Sequence, residues 1–251
     1  MKLKPAILLP VSAIIIAEAF LFLKYTRYGI ILHIVTLLAL SLTASRIRDI
    51  ETSNLLQVLA LLPLFRILNT TMPIFFTRTL YIFPLVYGPI FISIYYVAKN
   101  QKFSGREMGV SFEKLHIYFP ASVVLGMVLG RIEYSIITVE SLIPAPTFQG
   151  VLVFTVIMLV FTGWSEELLF RGMLQTRLEQ ATGSMGGLII ASLLFGAMHS
   201  GYGTIYEIIF TTSAGFFIGY LFQRTRSLAF VALTHGMINV FLFGFIPLGL
   251  V

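Results

Sequence analysis

The chain has no cysteine, so disulfide frameworks, zinc–thiolate clusters and cysteine nucleophiles are all excluded. Charge is scarce as well. Asp, Glu, Lys and Arg make up 11% of the 251 residues, where soluble domains carry about 25%. That is too little to cover a soluble surface, which excludes a soluble enzyme and a disordered tail together. A basic patch is also missing. The seventeen Lys and Arg stand in ones and twos between apolar runs, so nucleic acid is excluded as a partner. No internal repeat or low-complexity tract is present.

Apolar side chains are abundant, at 57% of residues with a mean hydropathy of +0.92. This composition describes a multi-pass membrane protein whose lasting partner is the lipid bilayer. At about 20 residues per crossing, nine helices need roughly 180 residues and leave roughly 70 for connections. The expected fold is all-α, a polytopic transmembrane helical bundle of eight or nine spans. Apolar runs fall at 5–23, 28–44, 54–73, 79–98, 115–130, 150–170, 186–200, 204–222 and 228–246. The first passes over Ala17-Glu18-Ala19, a faint cleavage pattern, but continues to Leu23, so it is expected to stay as a helix. The third carries Gln57, Pro63, Arg66 and Asn69 and is expected to be kinked or partly re-entrant.

Cytoplasmic connections are enriched in Lys and Arg. With the N-terminus inside and nine crossings, Lys2, Lys4, Arg46, Arg48, Lys99, Lys102, Arg106, Lys114, Arg171, Arg177, Arg224 and Arg226 fall inside. Lys24, Arg27, Arg78 and Arg131 fall outside, a split of twelve to four. Dropping the third crossing loses this asymmetry. The expectation is a cell-membrane protein with its N-terminus inside. The polar breaks at 99–114 and 131–149 are too short for a second folded unit. The expected organisation is N-terminal helices of unassigned role over 1–149 and a catalytic helical core over 150–246.

Charges within apolar spans are costly and usually face a cavity or a partner. Glu18 and Arg66 stand isolated along the chain, and Glu133 and Glu140 fall in an expected outside connection. Interface placement or interhelical hydrogen bonding accounts for these four. His33 and His116 lie in apolar runs that hold no acidic residue, and no chemistry is assigned to them. The last hundred residues differ, with Glu166 and Glu167, then Phe195 and His199, then His235 and Asn239. Adjacent helical residues point about 100° apart, so Glu166 and Glu167 are expected to differ in role. Glu167 and Arg171 are spaced for an i, i+4 ion pair, and Phe195/His199 and His235/Asn239 share faces in the same way. Glu166 precedes Thr182 by sixteen residues and His199 follows Ser184 by fifteen. A hairpin turning at 182–184 would set both roughly 22–24 Å from the turn, side by side. Their common cavity is expected to open, if anywhere, toward the inside.

A carboxylate beside an imidazole can hold and deprotonate water. A second imidazole with an amide can stabilise the oxyanion formed when water attacks a carbonyl. Such a set points to peptide hydrolysis within a membrane. A zinc-dependent alternative would use Glu166, His199 and His235 as ligands, although no His-Glu-x-x-His helix occurs. A polar knot holding helices together through their many glycines is the non-catalytic alternative.

At these residues the chain resembles the CPBP family of CAAX-processing and bacteriocin-processing intramembrane proteases. These are also called Abi proteins and include the type II CAAX prenyl endopeptidases. The resemblance rests on Glu166-Glu167-x-x-x-Arg171, Phe195-x-x-x-His199 and His235-x-x-x-Asn239 in that order, with Leu169-Phe170-Arg171-Gly172 after the acids, and covers about 150–246. It implies Glu166 as the water-activating base assisted by His199, His235 and Asn239 as the oxyanion hole, and Glu167 with Arg171 as a structural pair. Phe195 is a supporting residue. No metal is expected in this mechanism, with zinc held by Glu166, His199 and His235 as the family's older reading. The implied partner is a peptide or protein with a membrane-associated terminus, prenylated or not. A membrane immunity or peptide-binding protein without catalysis is the remaining alternative.

Overall fold

The computed structural model describes residues 5–71 and 79–251, and every regular element among them is helical. In chain order these are α1 (Pro5–Phe22), α2 (Thr26–Arg46), α3 (Ile50–Thr71), α4 (Thr79–Asn100) and α5 (Leu115–Tyr134). They continue with α6 (Phe148–Thr182), α7 (Ser184–Ala197), α8 (Ile205–Thr225) and α9 (Leu228–Phe245). A helix pairs its own backbone polar groups, which hydrocarbon requires of any crossing segment. Eight of these, α2 to α9, are long and apolar enough to cross a membrane, α7 counting the turn that follows it. Helix α1 is apolar but shorter, with Ile7–Phe22 as its apolar stretch. The fold is an all-α, multi-pass membrane bundle. Lys2, Lys4 and Arg78 from the charge tally lie outside the described residues.

Helix α3 is continuous, with Pro63 inside it, and is not re-entrant. Its polar residues reflect burial among neighbours, since 61% of its apolar window is enclosed. Helix α9 is the centre of the bundle, with 78% of its window buried against 17% for α5. Glycines let neighbours approach it closely. A Cβ on Gly163 of α6 would lie 2.5 Å from the Ala232 carbonyl oxygen and 2.8 Å from Gly236 Cα. Such small-residue contacts are how membrane helices bring backbones together. They hold the acids of α6 against His235 and Asn239 of α9.

Helices α6 and α7 form the expected hairpin, joined by Gly183 alone at φ +84°. Within α6 the winding changes around the acids. Ser165–Glu167 is one α-helical turn between π-helical stretches at Met158–Trp164 and Leu168–Gln175. Wide turns of this kind are frequent at functional sites. The residue pattern carries no sign of them.

The connections lie on two faces. One, the basic face, carries the ends that join α2–α3, α4–α5, α6–α7 and α8–α9. It is tied together by Arg177 Nε on Gln101 Oε1 at 3.0 Å and Arg226 on Glu179 at 2.9 Å. The opposite face carries the connections 23–25, 135–147 and 198–204 and the end of α9. Here the Leu142 N–H donates to the Phe243 carbonyl at 2.8 Å.

Candidate active site

Glu166 lies at the buried middle of α6, and the Tyr87 hydroxyl of α4 donates to its Oε1. Its other oxygen, Oε2, stands 4.0 Å from His235 Nε2. Glu167 is fully buried and engages two partners. Its Oε1 accepts from His235 Nδ1 at 2.8 Å, and its Oε2 faces Arg171 Nε at 3.2 Å. The i, i+4 pair is therefore present, but it is an ion pair without hydrogen-bond alignment. The His235 contact adds to the expected structural role, because Glu167 also fixes an imidazole. Arg171 donates through Nη2 to the Gly215 carbonyl at 3.1 Å and lies over the Phe195 ring at 4.5 Å. It is 1% exposed, so this charge stays inside the bundle.

Phe195 sits between the two histidines, its ring centroid 4.8 Å from that of His199 and 5.6 Å from that of His235. His199 Nδ1 lies 2.8 Å from the Phe195 carbonyl, which can only accept, so Nδ1 carries the proton and Nε2 is left as an acceptor. On α9, Asn239 Nδ2 donates to Thr162 Oγ1 at 2.9 Å, and Thr162 donates in turn to the Met158 carbonyl. One N–H of the Asn239 amide is thereby used and the second remains. Glu166, His199, His235 and Asn239 line one cavity of about 490 Å³. The expected convergence of three helices is found.

Glu18 and Arg66 are joined by the interhelical hydrogen bonding expected of such residues, while other expectations change. Arg66 Nε donates to Glu18 Oε1 at 2.7 Å, and Ser200 Oγ donates to Glu18 Oε2 at 2.5 Å. Arg66 Nη2 also donates to the Met198 carbonyl. The residues on both sides of His199 are thus tied to α1 and α3. His33 has an acid after all, with Nε2 3.2 Å from Glu18 Oε1. Arg66 and Ser200 stand 48 and 182 positions from Glu18, which hid those two contacts. Glu133 is not in a connection. Helix α5 runs on to Tyr134, and Glu133 is buried and lines the cavity, next to Glu207 of α8. Glu140 is exposed in the connection, as expected. The cavity does not open toward the 182–184 turn. Its lining runs to Asn69, Gly201 and Tyr202 at the opposite face.

Residues 148–241 match the family model described as Type II CAAX prenyl endopeptidase Rce1-like. The match likens this segment, less than half of the chain, to the type II CAAX prenyl endopeptidases. It supports a membrane-embedded CAAX-type endopeptidase in general terms and takes in Glu166, His199, His235 and Asn239. No curated protein and no solved structure matches. The matched segment begins after α3 and α4, whose Arg66 and Tyr87 complete the cavity.

For the family's older zinc reading, the donor arrangement decides the fit. Among the described residues, no three His, Asp or Glu side chains are placed to hold a metal ion. Glu167 on His235 Nδ1 is compatible with a metal on Nε2, so the misfit lies in the spacing of the three donors and not in that contact. The set as arranged does not fit a zinc site.

Sequence reasoning missed Tyr87 and Thr162. Tyr87 is one of eleven tyrosines, and nothing in its neighbourhood marks it. Thr162 had a usable signal, lying one helical turn before Glu166 on the same helix.

Proposed function

We propose that this chain is an intramembrane endopeptidase that hydrolyses a peptide bond near a membrane-associated terminus, prenylated or not. The observation that carries the reading is the shared cavity of Glu166, His199, His235 and Asn239. The water sits between Glu166 and His199. His199 Nε2 accepts one hydrogen bond from it, while Glu166 takes the other proton as the oxygen attacks the carbonyl carbon. Tyr87 holds Glu166 Oε1 and so directs Oε2 to the water. The oxyanion receives the second Asn239 N–H and the His235 Nε2–H. His235 can donate from Nε2 only when its ring holds both protons, with Nδ1–H on Glu167. The tetrahedral intermediate then collapses, the C–N bond breaks, and Glu166 passes its proton to the leaving amine. Oxyanion stabilisation and a positioned base together supply the differential binding that lowers the barrier.

Glu167, Arg171 and Phe195 hold the two imidazoles in place. The 150–246 core carries the reacting groups, and the 1–149 helices brace it through Tyr87 and the Glu18–Arg66 pair. No step needs a metal. The distribution of Lys and Arg favours a cell-membrane protein with its N-terminus inside.

The test is turnover of a quenched tail peptide by purified protein in liposomes, with and without a tight chelator. Wild type should cleave it equally in both, and Glu166→Gln should bind the peptide without cleaving it. Binding without cleavage in wild type would make the chain a peptide-binding partner. Loss with chelator and rescue by stoichiometric zinc would reinstate the metal reading.

A further inference from the structure

We infer that the cavity takes its substrate from the extracytoplasmic side, so that the peptides cut are exposed termini and juxtamembrane segments on that face. The inference rests on the protease reading above and adds the compartment and kind of substrate.

Three observations carry it. The first is the lining of the cavity. From Glu166 it runs past Tyr87 and His199 to Asn69, Gly201 and Tyr202, and Gly201 and Tyr202 are exposed in the connection after α7. All its shallow residues belong to the face opposite the 182–184 turn. Depth agrees with this. Glu166 is central in α6, but His199 stands fifteen residues past Ser184, about 22 Å of helical rise, in the connection that follows α7. Asn239 lies six residues from Phe245, about 9 Å of rise. His199 and Asn239 are deep from one face and shallow from the other.

The second observation is what fills the way to the basic face. Met173, Leu174 and Leu178 of α6 are fully buried in one apolar cluster with Leu59 and Leu62 of α3 and Leu194 of α7. These residues lie between the acids and the 182–184 turn. A peptide coming from that side would have to part a closely packed core.

The third is charge. Among the described residues, Arg46, Arg48, Lys99, Lys102, Arg106, Lys114, Arg177, Arg224 and Arg226 lie toward the basic face. Lys24, Arg27 and Arg131 lie toward the face that the cavity reaches. Nine against three puts the basic face in the cytoplasm and the cavity mouth outside. A substrate fits if its scissile bond can dip roughly 10 Å below that surface. The extracytoplasmic end of a membrane-anchored protein and a lipid-attached peptide both meet this requirement, whereas a cytoplasmic tail does not reach the mouth.

Because the chain has no native cysteine, single-cysteine variants report access cleanly. Tyr202→Cys and Asn69→Cys would probe the mouth and Lys102→Cys the basic face, using a membrane-impermeant maleimide on intact cells and on inverted vesicles. The expected result is labelling of Tyr202→Cys and Asn69→Cys in intact cells, with Lys102→Cys labelled only in inverted vesicles. The reverse pattern would overturn the inference. Termini of membrane proteins from cells carrying wild type or Glu166→Gln would be compared in parallel. Changes confined to extracytoplasmic segments support the inference, and changes in cytoplasmic tails overturn it. Unchanged termini with the expected labelling count against the protease reading and leave the sidedness supported, since labelling needs no turnover.

Discussion

Replacing Glu167 by Gln separates the two neighbouring acids. Glu167 is fully buried, and its carboxylate faces an arginine that is 1% exposed and an imidazole nitrogen at 2.8 Å. Gln keeps the shape but removes the charge. Its one oxygen can accept from either His235 Nδ1 or the Arg171 side, and its NH2 then opposes a donor on the other. Arg171 keeps its Gly215 carbonyl and the Phe195 ring, neither of which carries a negative charge. Breaking a buried pair by removing one partner costs about 3–5 kcal/mol, because a charge is left uncompensated. At about 2–4 °C per kcal/mol for a chain of this size, the melting temperature should fall by roughly 6–20 °C. Activity should fall too, because His235 loses the acceptor that fixes its ring. Glu166→Gln should abolish turnover with a far smaller drop in melting temperature, since Glu166 borders a cavity and, among the described residues, has no arginine within ion-pair distance. Melting in detergent, followed by tryptophan emission from Trp164, and peptide turnover are the two readouts. Adding Arg171→Met to Glu167→Gln should recover part of the lost stability. Equal melting shifts for the two glutamate variants, or no recovery in the double variant, would refute the argument from an orphaned charge.

Asn239→Ala should lower turnover about 10²–10³-fold, the usual cost of one oxyanion donor. Thr162→Val should give a smaller loss, because it frees the Asn239 amide to turn without removing it, and steady-state kinetics on a tail peptide would rank the two. Tyr87→Phe removes a hydrogen bond to a charged group, worth about 1.5–3 kcal/mol, so kcat should fall about ten- to hundredfold with KM little changed. An unchanged kcat would mean that Tyr87 only packs. Arg66→Met should destabilise by about 3–5 kcal/mol by leaving Glu18 buried without its guanidinium. Adding Glu18→Met should restore melting but not full activity, since the segment around His199 stays untied; full activity in the double variant would count against that tie.

What was legible in the chain, and what was not, follows from the range of each signal. The membrane bundle was legible because hydropathy is summed over about twenty residues at a time, and no tertiary contact has to be known. Convergence of α6 and α7 was legible because a hairpin turning at a single glycine makes depth a matter of counting residues. The pairing of Glu18 with Arg66 could not be read, because two buried charges on α1 and α3 look equally isolated whether or not the helices bring them together. The second partner of Glu167 was missed for a related reason. His235 lies 68 positions from Glu167 and is brought to it only by the packing of α9 on α6. The direction of the cavity was misread by a different error. Distance from the turn does not tell the two faces apart, because Glu166 is central in α6, about 24 Å from Thr182 and about 27 Å from Phe148. The lining of the cavity at Asn69, Gly201 and Tyr202 is what points away from the turn. The closed core around Leu174 and Leu178 is the independent reason for preferring that direction over the inward one.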